Sequence, residues 1–146
     1  MIFRQYGQED LSPLSDMIHA LYREDPGGET IDDRKITDTV NEHTIHPEKL
    51  NIIIFEDDDQ IRGYALLVYA WSNEYGGDIL HVDELYVKEA YRDQGIGAAF
   101  FHFIEETMSP AVLQLEVTPS NHRAMGLYRR MGFVLSENTH LIKRRR

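Results

Sequence analysis

The sequence predicts an α/β protein in which helices and strands form α+β layers. Apolar residues such as Leu14, Met17 and Ile18 recur at helical spacing. Residues 50–55, in contrast, form a β-branched run of strand length. Segments of the two kinds alternate along the second half of the chain, which is typical of layered folds. Because the chain has no internal repeat and no linker, residues 1–146 are expected to form a single domain.

Proline, glycine and acidic residues divide the first half of the chain. Pro13 suits the first turn of a helix, where its missing N–H needs no acceptor, and Pro26-Gly27 stops that helix. The acidic run at residues 56–59 is typical of a solvated hairpin tip. The predicted elements are a strand at residues 2–6, helices from Ser12 to the stop at Asp25 and from about Asp32 towards His43, strands at residues 50–55 and 61–69, and a turn at residues 71–77.

The second half of the chain alternates strands with helices. Ile96, Phe100 and Ile104 give one helix an apolar face, and Ala124 and Tyr128 do the same for the next. The predicted elements are strands at residues 79–87 and 111–117, helices at residues 95–108 and 121–131, and closing strands at residues 133–135 and 140–142.

Composition excludes several classes of protein. The chain has no cysteine, so disulfides, thiolate metal sites and a cysteine nucleophile are excluded. Its formal net charge of −10 disfavours nucleic acid and anionic lipid as partners, and the basic ending at residues 143–146 is interpreted as a solvated tail. With no apolar run long enough for a membrane span, we expect a cytoplasmic protein that binds no membrane. His43 and His46 lack an evident third ligand, so no metal site is predicted.

Residues 84–97 form the most informative stretch of the chain. A strand ends at Val87 and a helix begins near Gly95, where glycines let the backbone approach a ligand and unpaired N–H groups favour an anion. Arg92 adds a cation that suits a diphosphate. A dinucleotide fingerprint would need a glycine at Phe100, and a P-loop triplet is absent. Taken alone, Gly95 and Gly97 are better explained by close helix–strand packing than by a phosphate site.

Two motifs in this half of the chain resemble those of the GNAT superfamily of N-acetyltransferases. The first is Arg92-x-x-Gly95-x-Gly97, which follows the strand Glu84-Leu85-Tyr86-Val87. The second is Asn121-x-x-Ala124-x-x-x-Tyr128-x-x-x-Gly132-Phe133. The likeness covers residues 61–133, and it departs from the pattern at Asp93, where relatives often carry glycine. It implies the GNAT fold, with a mixed, mostly antiparallel central sheet flanked by helices and a V-shaped gap between the fourth and fifth strands.

The resemblance also implies a cosubstrate, acetyl-CoA, and residues that bind it. Backbone groups of the strand would hold the pantetheine arm, and N–H groups of the loop would hold the diphosphate. No metal is implied. The cofactor-binding residues implied by the resemblance are Leu85, Tyr86, Val87, Arg92, Asp93, Gln94, Gly95, Ile96, Gly97, Ala98, Asn121 and Tyr128.

The resemblance assigns catalysis to a tyrosine and a carboxylate. Tyr128 stands at the position of the family's general acid. Asp83, Glu84 and His81 are candidates for the general base, and of the two carboxylates Asp83 ranks before Glu84. An alkylammonium with a pKa of ~10.4 must lose a proton before it attacks, which costs about 4–5 kcal/mol at neutral pH. Strand alternation puts His81 and Asp83 on one face and Glu84 on the other, and a bulge would reverse this. A strand-edge carboxylate in water is an equally good interpretation of either acid.

The acceptor is predicted only by class. Residues 69–77, followed by His81-Val82-Asp83-Glu84, resemble the region before the cofactor strand in polyamine and diamine acetyltransferases. Together with the negative net charge, this favours transfer of acetyl to a primary amine that is small and cationic. A non-catalytic acyl-CoA-binding or sensing module and a protein or peptide N-acetyltransferase are the alternatives. Relatives are often homodimers, so a homodimer is expected.

Overall fold

The computed structural model describes residues 1–145, so Arg146 of the basic tail lies outside the described residues. It contains a five-stranded sheet and four α-helices. The longest helix has 14 residues, and within the described chain no helix is long and apolar enough to cross a membrane. The elements are β1 (Ile2–Gln5), α1 (Leu11–Glu24), α2 (Asp33–Ile45), β2 (Leu50–Asp57), β3 (Gln60–Ser72), β4 (Gly77–Val87), α3 (Ile96–Thr107), β5 (Val112–Leu115) and α4 (His122–Arg130).

The strands lie in the order β1-β2-β3-β4-β5, which is also their order along the chain. Neighbouring strands from β1 to β4 are antiparallel, whereas β5 pairs with β4 in parallel. The parallel pair is joined through α3, which is the crossover that parallel strands require. This arrangement confirms the predicted α/β layers and the mixed, mostly antiparallel sheet.

The sheet carries a hydrophobic core on each face. On one face α3 and α4 cover a cluster that includes Phe55, Phe100 and Tyr128. On the other face α1 and α2 cover a cluster that includes Leu14 and Tyr64. Phe55 and Phe100 are fully buried, and burial of a side chain of this size contributes about 1.5–3 kcal/mol. The two cores fix the helices on which the functional residues lie.

A β-bulge interrupts β4 at Asp83. Leu67 of β3 pairs with Val82 and Leu66 pairs with Glu84, so Asp83 is the extra residue of the bulge. Val82 belongs to the core under α3, but Tyr86 belongs to the core under α1. The bulge therefore reverses the alternation that the uninterrupted strand predicts, and Glu84 faces α1.

The parallel ladder between β4 and β5 stops at the same level. It runs from Ile79 opposite Val112 to Val82 opposite Leu115. Beyond Val82, the residues of β4 pair with β3 alone. The two strands thus separate after the bulge, and they leave the gap expected between the fourth and fifth strands.

The two predicted closing strands are wrong. Residues 133–135 and 140–142 contain no strand, because their backbone pairs with no neighbouring strand in the described chain. Phe133 packs on Phe101 and Tyr128, but Val134 and Leu141 are exposed at 89% and 88%. β-type residues alone do not make a strand without a backbone partner.

The predicted turn at residues 71–77 is shorter in the structure. Ser72 pairs with Gly77, so β3 and β4 extend into it and the turn itself holds residues 73–76. A left-handed Gly76 (φ 66°) closes this hairpin. The smaller differences at the other element ends are one to three residues.

Gly63 lets β3 and β4 approach each other beside the cofactor strand. A Cβ there would meet the carbonyl oxygen of Tyr86 and lie 2.8 Å from the Phe55 ring. We expect Gly63→Ala to lower the free energy of unfolding by about 2–3 kcal/mol, because neither neighbour is free to move. Urea unfolding measures this effect as a shift of the midpoint, with the dependence of the free energy of unfolding on urea concentration unchanged.

Gly7→Ala is the control for Gly63→Ala. The atoms nearest to a Cβ at Gly7 belong to the exposed Glu9 side chain, which can turn away. We expect Gly7→Ala to leave the unfolding midpoint nearly unchanged. An equal loss in both variants would contradict the steric explanation at Gly63.

Candidate active site

A cavity of about 590 Å³ lies along the gap, which is within the usual range for a small-molecule site. Its walls come from the end of β4, the loop before α3, α3, α4 and the last turn of α1. The lining residues include Leu21, Glu24, Asp25, Leu85, Tyr86, Val87, Tyr91, Arg92, Asp93, Gly95, Ile96, Gly97, Ala98, Asn121, Arg123, Ala124, Leu127, Tyr128, Arg130 and Met131.

The loop between β4 and α3 presents backbone donors to this cavity. Gly95 is the N-cap residue of α3 and has a left-handed backbone (φ 79°). The N–H groups at the start of a helix have no intrahelical acceptor, so those of Ile96, Gly97 and Ala98 are available to an anion. The two glycines differ in role: Gly95 has open space around it, whereas a Cβ at Gly97 would lie 2.7 Å from Leu127. Gly97 therefore also permits close packing of α3 on α4.

Arginines surround the loop, and carboxylates hold two of them. Arg92 donates through Nε to the Val87 carbonyl (2.8 Å) and through Nη2 to Glu24 of α1 (2.6 Å). Arg123 of α4 contacts Asp93 of the loop at 2.9 Å. The cavity is lined by three arginines and three acids, and two of the arginines, Arg92 and Arg123, are paired with two of the acids.

Tyr128 lies on α4 and faces the cavity and the core together. Its ring packs edge-on against Phe101 and Phe133, and only 9% of the residue is exposed. Burial, assisted by the negative charge of Asp25, raises the pKa of Tyr128 to about 12. The hydroxyl is thus protonated at neutral pH and can act as a proton donor.

The residue after α1 ties this helix to the loop before α4. Asp25 accepts hydrogen bonds from the hydroxyl of Thr118 (2.7 Å) and from the side-chain amide of Asn121 (3.3 Å). The other side-chain atom of Asn121, Oδ1, accepts from the N–H of Ala124 (3.1 Å) and so caps α4. These contacts fix the orientation of Asn121 at the rim of the cavity.

Glu84 is held by two tyrosines on the α1 side of the sheet. Tyr22 of α1 and Tyr64 of β3 each donate a hydroxyl hydrogen bond of 2.7 Å, one to each carboxylate oxygen. Burial raises the pKa of Glu84 above its ordinary value, although the two hydrogen bonds oppose the shift. Both oxygens are therefore occupied in this arrangement.

Asp83 sits in the bulge, where β4 and β5 separate. Its carboxylate lies 3.7 Å from the His81 ring and remains about half exposed. Desolvation raises the pKa of Asp83, His81 opposes the shift, and the charge of Glu116, just beyond β5, adds to it. Asp83 and Glu116 thus lie near each other where β4 and β5 separate. Unlike Glu84, Asp83 accepts no hydrogen bond from a hydroxyl group of the described chain.

The histidines singled out in the sequence have no common ligand site. The His43 Nδ1 accepts a hydrogen bond from the N–H of Ile52 at 3.1 Å, and its ring packs edge-on against Tyr6. Across residues 1–145, no group of three or more His, Asp or Glu side chains is placed to hold a metal ion. His43 has a structural contact that accounts for its burial.

Comparison with known proteins decides the family. The sequence model of the acetyltransferase (GNAT) family matches residues 15–133. The chain belongs to the GNAT family. This confirms the recognition from the two motifs and the predicted class of enzyme, an acetyltransferase.

The part of this GNAT chain that aligns with a known protein differs from one relative to the next. A thialysine N-epsilon-acetyltransferase from Bos taurus is 36% identical over 73 residues, which are 48% of this chain and 42% of that protein. The matched part thus spans less than half of the relative's length. A possible acetyltransferase from Clostridium difficile 630 has the same fold, with a TM-score of 0.83, 20% identity and coverage of 98% and 96% of the two chains.

A second solved structure with this GNAT fold contains a coenzyme A derivative. AAC(6')-Iy, in complex with the bisubstrate analog CoA-S-monomethyl-acetylneamine, aligns with a TM-score of 0.76 and 16% identity. The alignment covers 99% of this chain and 97% of that one. At this level of identity the likeness concerns the fold.

The structure brings most of the predicted cofactor-binding residues of this GNAT chain to one cavity. The exception is Gln94, which is absent from its lining. Asp83 and Glu84 also lie outside the lining, on the neighbouring part of β4. The interpretation of Asp83 and Glu84 as solvated acids fails for Glu84, since two hydroxyls cover it.

Sequence reasoning missed three features of the site. The first is the set of contacts at the end of α1: the sequence offers Glu24 and Asp25 only as acids for an amine site, whereas Glu24 binds Arg92 and Asp25 binds Asn121. The second is Arg123 and Arg130, which lie seven positions apart on α4 and so share a helix face. That spacing was a readable signal in the sequence. The third is the tyrosine pair on Glu84, for which the sequence contains no local signal.

The raised pKa of Glu84 predicts a pH dependence of stability. Between its ordinary value of 4.5 and the raised pKa, the folded chain retains a proton that the unfolded chain has lost. Stability of the wild type relative to Glu84→Gln should therefore fall as pH rises through this window. Urea unfolding of both proteins from pH 4 to pH 8 measures the difference.

Glu106→Gln provides the control for this pH series. Glu106 is exposed on α3 and its replacement makes the same change of charge. The difference in free energy of unfolding between the wild type and Glu106→Gln should not fall with rising pH, whereas the corresponding difference for Glu84→Gln should. A difference at Glu84 that rises with pH would contradict the raised pKa.

Proposed function

We propose that this GNAT protein transfers acetyl from acetyl-CoA to a small cationic primary amine, directly and within a ternary complex. The observation that carries the proposal is the cavity at the β4–β5 gap. It combines free helix N–H groups, arginines and an apolar strand end with a buried tyrosine hydroxyl. No other described cavity combines these features with the family's motifs.

The cavity residues fit the parts of coenzyme A. The N–H groups of Ile96, Gly97 and Ala98, with Arg92, suit the diphosphate, because donors and cations converge there. Leu85 and Val87 lie where β4 has no β5 neighbour, so backbone groups there, apart from the Val87 carbonyl that accepts from Arg92, are available to the amide groups of a pantetheine arm. When bound, acetyl-CoA supplies an acetyl group activated as a thioester.

Tyr128 is the proposed general acid. The coenzyme A thiol has a pKa near that of cysteine, about 8.5, so charge that develops on the departing sulfur is stabilised by a nearby proton donor. The Tyr128 hydroxyl faces the cavity and is protonated at neutral pH. Because its pKa of about 12 makes it a weaker acid than the thiol, it acts first as a hydrogen-bond donor to the sulfur, and a tyrosinate formed by full transfer regains its proton from solvent. Its fixed ring, packed on Phe101 and Phe133, limits the directions of that transfer.

Asp83 is the proposed general base, directly or through water. It lies in the bulge at the start of the gap, and its raised pKa makes it a better proton acceptor than an ordinary aspartate. Glu84 ranks second, because hydroxyls already engage both of its oxygens. The His81 ring is a neighbour of this base at 3.7 Å, which is beyond hydrogen-bond distance.

The acidic residues near the separation support a cationic acceptor. Asp83, Glu84 and Glu116 surround the region, and their charges favour an alkylammonium over a neutral or acidic amine. The relative named for thialysine acetylation and the neighbour with an acetylneamine analog both act on or bind amines of this kind. The net charge of −10 acts in the same direction.

An amine panel tests the proposed function. Release of free thiol from acetyl-CoA is followed with diamines, polyamines, lysine analogues, aminoglycosides and a peptide N-terminus. Release that depends on a small cationic amine supports the proposal. Binding of acetyl-CoA without turnover on any amine would favour a sensing module, and turnover on the peptide alone would favour a protein N-acetyltransferase.

Replacement of Tyr128 by phenylalanine separates chemistry from binding. We expect Tyr128→Phe to lower kcat by about 100-fold, since loss of a general acid has effects of this order. The dissociation constant for coenzyme A should change by less than about threefold, because the ring remains in place. Steady-state kinetics and calorimetry measure the two quantities, and an unchanged kcat would remove Tyr128 from the mechanism.

Replacement of the two carboxylates ranks the candidate bases. We expect Asp83→Asn to lower kcat/KM by about 100-fold and to abolish the acid limb of its pH profile. Glu84→Gln should cost less, about tenfold, because it keeps the shape and one acceptor oxygen. The reverse order of effects would transfer the role of base to Glu84.

A further inference from the structure

The two arginines nearest the proposed phosphate site are neutralised by carboxylates from the same chain. Glu24, in the last turn of α1, binds Arg92 at 2.6 Å, and Asp93, in the loop itself, binds Arg123 at 2.9 Å. All four residues line the cavity. A phosphate ligand therefore meets carboxylates where it would otherwise meet free cations.

We propose that Glu24 and Asp93 are internal competitors of the cosubstrate's phosphates, and that they set its affinity. In this proposal the carboxylates occupy Arg92 and Arg123 until the phosphates replace them. The consequence is selectivity, since only a ligand with phosphate charges can displace both acids. The inference rests on the proposed binding of coenzyme A in this cavity.

The geometry of Arg92 makes such an exchange simple. Its Nε remains bound to the Val87 carbonyl, so the guanidinium stays fixed at the end of β4. Only Nη2 has to change partner, from Glu24 to phosphate. The side chain of Glu24 is 40% exposed, so it can turn into water without movement of the helix backbone.

Asp93 is an unfavourable residue for its backbone position. Its φ of 61° lies in the left-handed region, where glycine is most readily accommodated. The carboxylate is 86% exposed and its recorded ion pair is with Arg123. Because this pair is well solvated, its competition should be weaker than that of Glu24.

The test uses three ligands and matched variants. Calorimetry measures binding of coenzyme A, dephospho-coenzyme A and pantetheine to the wild type, Glu24→Gln and Asp93→Asn. Pantetheine has no phosphate, so its binding should be independent of both acids. Glu29→Gln is the control, because it also removes one negative charge but pairs with Arg144 and does not line the cavity.

We expect Glu24→Gln to bind coenzyme A about three- to fivefold more tightly and Asp93→Asn about twofold more tightly, the scale of solvated ion pairs. Binding of pantetheine, and all binding by Glu29→Gln, should match the wild type. Unchanged or weaker binding by both variants would overturn the proposal, as would equal tightening for pantetheine. A wild type that binds none of the ligands would instead refute the proposed function, and this inference with it.

Discussion

The separation of β4 from β5 is the constraint on which the site depends. The ladder ends at Val82 and Leu115, and the bulge at Asp83 follows at once. Backbone groups of β4 beyond the bulge therefore lack a β5 partner, although the Val87 carbonyl accepts from Arg92, and the proposed ligand has amides of its own to place there. The same bulge turns Glu84 towards α1 and leaves Asp83 at the mouth of the gap. One extra residue thus lies where the gap begins and sets the positions of both acids beside it.

The last turn of α1 and the residue after it contribute side chains to the site at the gap. Leu21 contributes to the cavity wall, Tyr22 binds Glu84, Glu24 binds Arg92, and Asp25 reaches the loop before α4. These four side chains span both walls of the gap, although the helix itself packs on the opposite core from α3 and α4. A shift of α1 would alter the cosubstrate loop, the buried carboxylate and the orientation of Asn121 together. Helix α1 and the residue after it therefore contact both of the proposed substrate regions.

The local parts of this structure were predictable from the sequence, and the long-range parts were not. Helix spacing and the β-branched run of β2 identified the α/β layers, because such signals act over a few residues. The resemblance of two motifs to the GNAT superfamily implied the gap in the sheet and the cofactor-binding residues, most of which line the cavity. The partners of Glu84 are 62 and 20 positions away, and the partner of Arg92 is 68 positions away, so no local pattern reveals them. The closing strands failed for a related reason: Val134 and Leu141 have strand propensity, but pairing depends on a distant edge.

The distribution of charge explains how an acidic protein can present a site for a polyanion. Arg92, Arg123 and Arg130 line the cavity together with Glu24, Asp25 and Asp93. Asp83, Glu84 and Glu116 lie around the separation of the strands. Within about 10 Å, the screening length at moderate salt, nearby groups outweigh the net charge of the whole chain. In the proposed reaction, two ligands of opposite charge would each be attracted by its own side chains. In the proposed competition, the carboxylates of Glu24 and Asp93 would weaken anion binding at Arg92 and Arg123, so that only a ligand with phosphate charges would replace both.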